Sequence, residues 1–111
     1  MIRMGLGANS RHASMLVTPG NGVQWTMRTT DGGATTHPAM TANTVKAPIF
    51  LKVTKTATTF TGYYSNDGAN WTQLGSPVPI AITSGSTYYV GLAATSNTSG
   101  LNTTAASNFN F

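Results

Sequence analysis

Apolar and polar residues alternate with a period of two along most of this chain, and no segment keeps a helical period over three turns. Ile2, Met4 and Leu6 alternate with Arg3 and Gly5, so residues 1–6 read as part of a strand. Residues 11–18 form a second strand, with Ala13, Met15 and Val17 on one face and His12, Ser14 and Leu16 on the other. Val23, Trp25 and Met27 alternate with Gln24, Thr26 and Arg28, the pattern of a half-buried strand. Residues 48–54 follow, with Leu51 and Val53 opposite Phe50 and Lys52. In residues 59–65, Phe60, Gly62 and Tyr64 oppose Thr61 and Tyr63. Residues 71–74 make a further short strand. Residues 87–95 (TYYVGLAAT) are the most hydrophobic run and predict a central, covered strand. Residues 105–111 close the chain as a strand, with Phe109 and Phe111 on one face.

Turn chemistry separates these runs. Asp67-Gly68 and Asn21-Gly22 supply the positive φ that tight hairpins need. Residues 29–47 are polar and irregular, broken at His37-Pro38, and predict the longest loop. Residues 55–58 turn the chain, and residues 96–104 form another loop. Pro77 and Pro79 forbid a central strand, so Val78, Ile80 and Ile82 are expected to close one edge of the core as an extended lid. About eight short, evenly spaced strands argue for an all-β antiparallel sandwich or jelly roll.

The chain has 111 residues, enough for one domain, residues 1–111. Charged residues make up only 7%, against roughly 25% in ordinary domains. Ser, Thr, Asn and Gly supply the polarity, as on the neutral surfaces of extracellular β-sandwiches. There is no Glu; Asp31 and Asp67 are the only acids, and six Lys and Arg leave a net charge of +4. The cations are scattered, without a basic run or recognition-helix pattern, so specific nucleic-acid binding is not expected. No cysteine is present, which removes disulfides, thiolate zinc sites and cysteine nucleophiles. No run approaches the ~20 apolar residues that span a bilayer, and no signal peptide is recognisable in this chain.

Three stretches carry a family resemblance: MIRMGLGANSRHASMLVTPGNGV, FTGYYSNDGANWTQLG and YYVGLAATSNTSGLNTTAASNFNF. Together they resemble the concanavalin A-like lectin/glucanase jelly-roll modules of bacterial secreted proteins. The shared features are the Met-Ile-Arg strand, the Thr-Pro-Gly-Asn-Gly turn, the Tyr-Ser-x-Asp-Gly-x-x-Trp hairpin and the Tyr-Val-Gly-Leu-Ala strand. Family members usually carry further strands before Met-Ile-Arg. The resemblance therefore implies a module truncated at its N-terminus, with an open sheet edge and an uncovered apolar patch. A homodimer or higher assembly that supplies the missing strands in trans is expected. It also implies an extracellular parent protein.

The same residues bound the chemistry. Glycoside hydrolysis ordinarily needs two carboxylates astride the bond; Asp31 and Asp67 lie in separate turns, and the acidic motif of the family's glucanases is missing. No serine sits in a Gly-x-Ser-x-Gly elbow beside His12 or His37. A conventional enzyme is thus not expected, and a hydrolase would need a non-standard site around His12, His37 or Asp31. No cofactor is expected, and the acids leave room for at most a weak calcium site built on carbonyls and Asn. Sugar binding fits the composition best, through an aromatic ring that stacks on the sugar and polar groups that orient it. Candidate rings are Tyr63, Trp25 and Tyr88, and candidate polar partners are Gln24, Arg28, His37 and Asn66. Trp25 shares a face with Val23 and Met27 and reads more naturally as core. Tyr63 is the better candidate, because it opposes the Phe60/Tyr64 face. Asp67 is expected to hold its turn, with Trp71 filling core. The leading expectation is a noncatalytic carbohydrate-binding or adhesion module; the alternative is a structural, self-assembling domain without a ligand.

Overall fold

The computed structural model describes residues 1–45, 48–81 and 87–92. Among these the fold is all-β, without a helix, in two antiparallel sheets. The strands are β1 (Ile2–Arg3), β2 (His12–Thr18), β3 (Gly22–Arg28), β4 (Thr36–Met40), β5 (Phe50–Thr56), β6 (Thr59–Ser65), β7 (Thr72–Pro79) and β8 (Tyr89–Val90). One sheet has the order β4-β3-β2-β1-β8 and the other β5-β6-β7.

The β2–β3 hairpin is held in register along its whole length, from His12↔Arg28 to Thr18↔Gly22. Gly22 takes φ +72°, and a side chain there would collide with Thr41 and the Ala42 carbonyl. The Thr18 hydroxyl accepts from the Asn21 amide at 2.9 Å and donates to the Gly22 carbonyl at 2.8 Å, pinning the turn. The pairs Ala13↔Met27 and Met15↔Trp25 send apolar side chains to one face. The second sheet answers with Phe60 and Leu74 from its inner face, together with half-buried Leu51, Val53 and Tyr64. Ile80, just past β7, is buried with them, and its amide donates to the Thr58 carbonyl at 2.9 Å. Full burial of Phe60 and of Ile80 is worth roughly 1.5–3 kcal/mol each.

Three expectations change. First, residues 29–47 contain β4, which pairs with the open side of β3. Its register slips between Trp25 and Met27, opposite His37-Pro38, and this bulge at a sheet edge accommodates the proline. Second, β7 runs through its prolines. Residues 75–77 bulge out between the Gly62↔Leu74 and Phe60↔Val78 pairs, after which pairing resumes. Among the described residues β7 is an edge strand, where a missing N–H is tolerated. Third, the expected central strand of residues 87–95 contributes only β8, which lies outermost in its sheet among the described residues. Tyr89 is 42% exposed and Leu92 65% exposed. An apolar run reports hydrophobicity but not depth, and only two of these residues enter the ladder. The expected loop 96–104 and strand 105–111, with Ile82 and residues 93–95, lie outside the described residues.

His12, Ser14 and Thr26 face away from Trp25 yet are also buried. Arg3 and Arg28 flank His12 in the ladder. Their guanidinium groups donate to the carbonyls of Gly7 and Ala8, both at 2.6 Å, which draws residues 5–10 against this face.

Candidate functional site

The outward face of the three-stranded sheet collects aromatic and polar side chains. Since Leu51, Val53, Phe60, Tyr64 and Leu74 point to the core, alternation turns Lys52, Tyr63 and Gln73 outward. The ladder places these three in one row, Lys52↔Tyr63↔Gln73. Trp71 lies two positions before Gln73 and on the same face. The Lys52 ammonium sits 4.8 Å from the centre of the Tyr63 ring and 4.2 Å from that of Trp71. Both separations are within cation–π range. The Phe50 ring extends the platform and lies against the turn at Gly68.

The turn from Ser65 to Asn70 fixes where Trp71 falls. Asp67 Oδ1 accepts from the Ala69 and Asn70 amides, both at 2.8 Å, and from the Ser65 hydroxyl at 2.9 Å. Its Oδ2 accepts from the Asn70 side-chain amide at 2.7 Å. The Ser65 hydroxyl in turn accepts from the Gly68 amide at 2.9 Å, and Gly68 adopts φ +77°. The amide donors, Asn70 first, hold the Asp67 carboxyl well below its ordinary pKa. Both carboxylate oxygens are thus engaged within the turn.

The sequence-predicted binding residues do not converge. Tyr63 is on the platform, and Asn66 is exposed in the adjoining turn. Trp25 is fully buried between the sheets, so its ring offers no face to a ligand and the core reading is the correct one. Gln24 and Arg28 lie on the outer side of the other sheet. His37 joins them through its Nδ1, 3.0 Å from the Thr26 hydroxyl. Arg28 is occupied by the Ala8 carbonyl and by the Thr35 hydroxyl at 3.1 Å. Tyr88 is 43% exposed and lies 5.0 Å beneath the Lys55 ammonium. Trp71 and Lys52 were missed. Trp71 was expected in the core, but the hairpin register puts it on the Tyr63 face. The parity of Tyr63 and Gln73 about the Asp67-Gly68 turn was the signal that could have placed it.

Elsewhere the titratable groups serve structure. Asp31 Oδ1 accepts from the Arg11 amide at 2.9 Å and pairs with Arg11 Nε at 3.2 Å. His12 is buried, with Nδ1 3.3 Å from the Ser10 carbonyl, and burial lowers its pKa. Among the described residues no three His, Cys, Asp or Glu side chains gather as metal ligands, and no helix is long and apolar enough to cross a membrane. An open depression of about 310 Å³ lies at β8, bordered by Met1, Arg3, Leu6, Tyr89, Val90 and Leu92. Comparison of the chain with protein-family models, with curated proteins and with solved structures found no match.

Proposed function

We propose that this chain is a noncatalytic carbohydrate-binding or adhesion module, a jelly-roll variant of the two-sheet fold that serves a larger secreted protein. The observation that carries this reading is the side-by-side placement of Tyr63 and Trp71 on one outward sheet face, bridged by Lys52. Sugars present apolar C–H faces rimmed by hydroxyls. Amphipathic rings on a rigid sheet receive the first at little entropic cost, and nearby polar groups receive the second. Gln73 stands beside Tyr63 in the ladder and supplies such a group. Affinity electrophoresis against a panel of polysaccharides tests the reading. Retardation by at least one glycan is expected, with Tyr63→Ala weakening it about tenfold, equal to ~1.4 kcal/mol. No retardation on any glycan would refute it.

A second reading is a structural, self-assembling domain. It draws on the exposed apolar side chains Leu6, Tyr89, Val90 and Leu92 around the depression at β8. Clustered apolar surface of this kind often marks an interface. Light scattering in dilute solution separates the states: a stable monomer removes the self-assembling reading, and the glycan test is unaffected by either result.

A further inference from the structure

Given the carbohydrate-binding reading, on which this rests, we propose that the platform takes an acidic polysaccharide, one bearing carboxylate or sulfate groups, and that Lys52 recognises the charge. The first support is the disposition of charge. The chain has only two acids against six Lys and Arg. Asp31 is engaged with Arg11, and Asp67 is consumed by its own turn. Arg3 and Arg28 are bonded to loop carbonyls on the other sheet. Among the described residues Lys52 has no carboxylate partner; its contacts are the two ring faces.

The second support is geometric. An ammonium over π faces keeps its charge, and its remaining N–H donors point away from the rings. A neutral sugar stacked on Tyr63 or Trp71 offers this ammonium only uncharged hydroxyl oxygens in exchange for its water. An acidic sugar replaces that water with a charge-assisted hydrogen bond. The ammonium therefore favours an acidic ligand over a neutral one. A nucleic acid also offers anions and stacking bases, but strand-binding grooves follow the backbone with a series of cations. Among the described residues this platform has one.

Dextran and dextran sulfate test the proposal, since they share a backbone and differ in charge, together with polygalacturonate as the carboxylate arm. Affinity electrophoresis is run at about 0.1 M salt, where distant charges are screened beyond ~10 Å. A fluorescent single-stranded oligonucleotide is titrated in parallel. The native protein is expected to bind at least one acidic glycan about tenfold or more tightly than dextran. Lys52→Gln should lose about tenfold, and Lys52→Arg should restore retention. Lys55→Gln removes the same net charge away from the platform and should stay within about twofold of the native protein. Equal losses in Lys52→Gln and Lys55→Gln would reduce the effect to general charge and overturn the proposal. Lys52-dependent binding of the oligonucleotide as tight as that of any glycan would also overturn it. Retention by neutral glycans alone would sink this inference but spare the carbohydrate reading. Retention by none would sink both.

Discussion

The Trp25 indole packs directly on the backbone of Gly62: a methyl group placed at Gly62 would come within 2.7 Å of Trp25 Cε3 and 2.5 Å of Met15 Sδ. Gly75, in the neighbouring strand at φ +76°, lies near the five-membered ring, with Trp25 Cδ1 3.2 Å from the position of its absent methyl. The largest core side chain thus sits close against two backbone segments of the opposite sheet, where there is no room for an added methyl at Gly62. Gly62→Ala is expected to destabilise the protein by roughly 1–3 kcal/mol through overpacking. A fall in the thermal midpoint of about 4–8 °C per kcal/mol would report it. Trp25→Phe in the same chain should recover part of the loss, giving a coupling energy above about 0.5 kcal/mol in a double-mutant cycle. Additive losses would show that the ring and the glycine do not constrain each other.

Ala57 is in the left-handed region at φ +53°, the only non-glycine residue with positive φ among those described. It occupies the first position of the two-residue connection between Thr56 and Thr59, which pair directly. A Cβ in this conformation crowds the following carbonyl, which costs about 1–2 kcal/mol. Glycine removes the crowding and gives part of the gain back in the entropy of the unfolded chain. Ala57→Gly is therefore expected to stabilise the protein by about 0.5–1 kcal/mol, read as a higher urea midpoint at unchanged slope. A lower midpoint would mean that the connection holds Ala57 without strain.

The inner layer was legible in the sequence because period-two alternation reports which residues share a face. Leu51 and Val53 against Lys52, and Phe60, Gly62 and Tyr64 against Tyr63, fall as the pattern implies. Three features were not legible. Thr36–Met40 has little strand propensity and contains Pro38; it becomes a strand because β3 offers it an unpaired edge. Tyr89 and Val90 read as core because hydrophobicity carries no depth. Trp71 looked like core for the same reason, since an isolated Trp after a turn declares its face only once the register is known. The candidate platform was half visible: the outward face of Tyr63 followed from the alternation, whereas the Lys52–Trp71 partnership was hidden in the pairing of three strands.

His12 sets an expectation for pH. Burial is the chief cause of its lowered pKa, and Arg28 and Arg3 beside it act in the same direction; the hydrogen bond to Ser10 opposes them. As pH falls through the ordinary value of 6.5, the unfolded chain takes up a proton that the folded one still refuses. Stability should therefore decline as pH drops below about 6.5 and level off under the folded-state pKa. Urea midpoints measured between about pH 7.5 and 5 should show the decline. His12→Gln should flatten it over that range. A native profile that is already flat would mean that protonated His12 is accommodated.

Asp67 acts in the same direction as His12 but in a more acid window, and it links stability to the site. Its amide and hydroxyl donors depress its pKa below the ordinary 3.8. Its contribution is then complete above about pH 3.8 and is lost as pH falls through the lower, folded-state pKa. Asp67→Ala leaves the Ala69 and Asn70 amides and the Asn70 side chain without their acceptor, so the turn should loosen and the variant should unfold at lower urea than the native protein at neutral pH. The gap should close in strong acid, where the native carboxyl is itself protonated. Asp67→Asn keeps a carbonyl oxygen in place without the charge and should fall between the two. Since this turn sets the position of Trp71 against Lys52, the order native, Asn, Ala is also expected for glycan retention. Weaker binding in Asp67→Ala with unchanged stability would give the carboxylate a direct part in holding the ligand. Lower stability with unchanged binding would show that the platform stands without its turn.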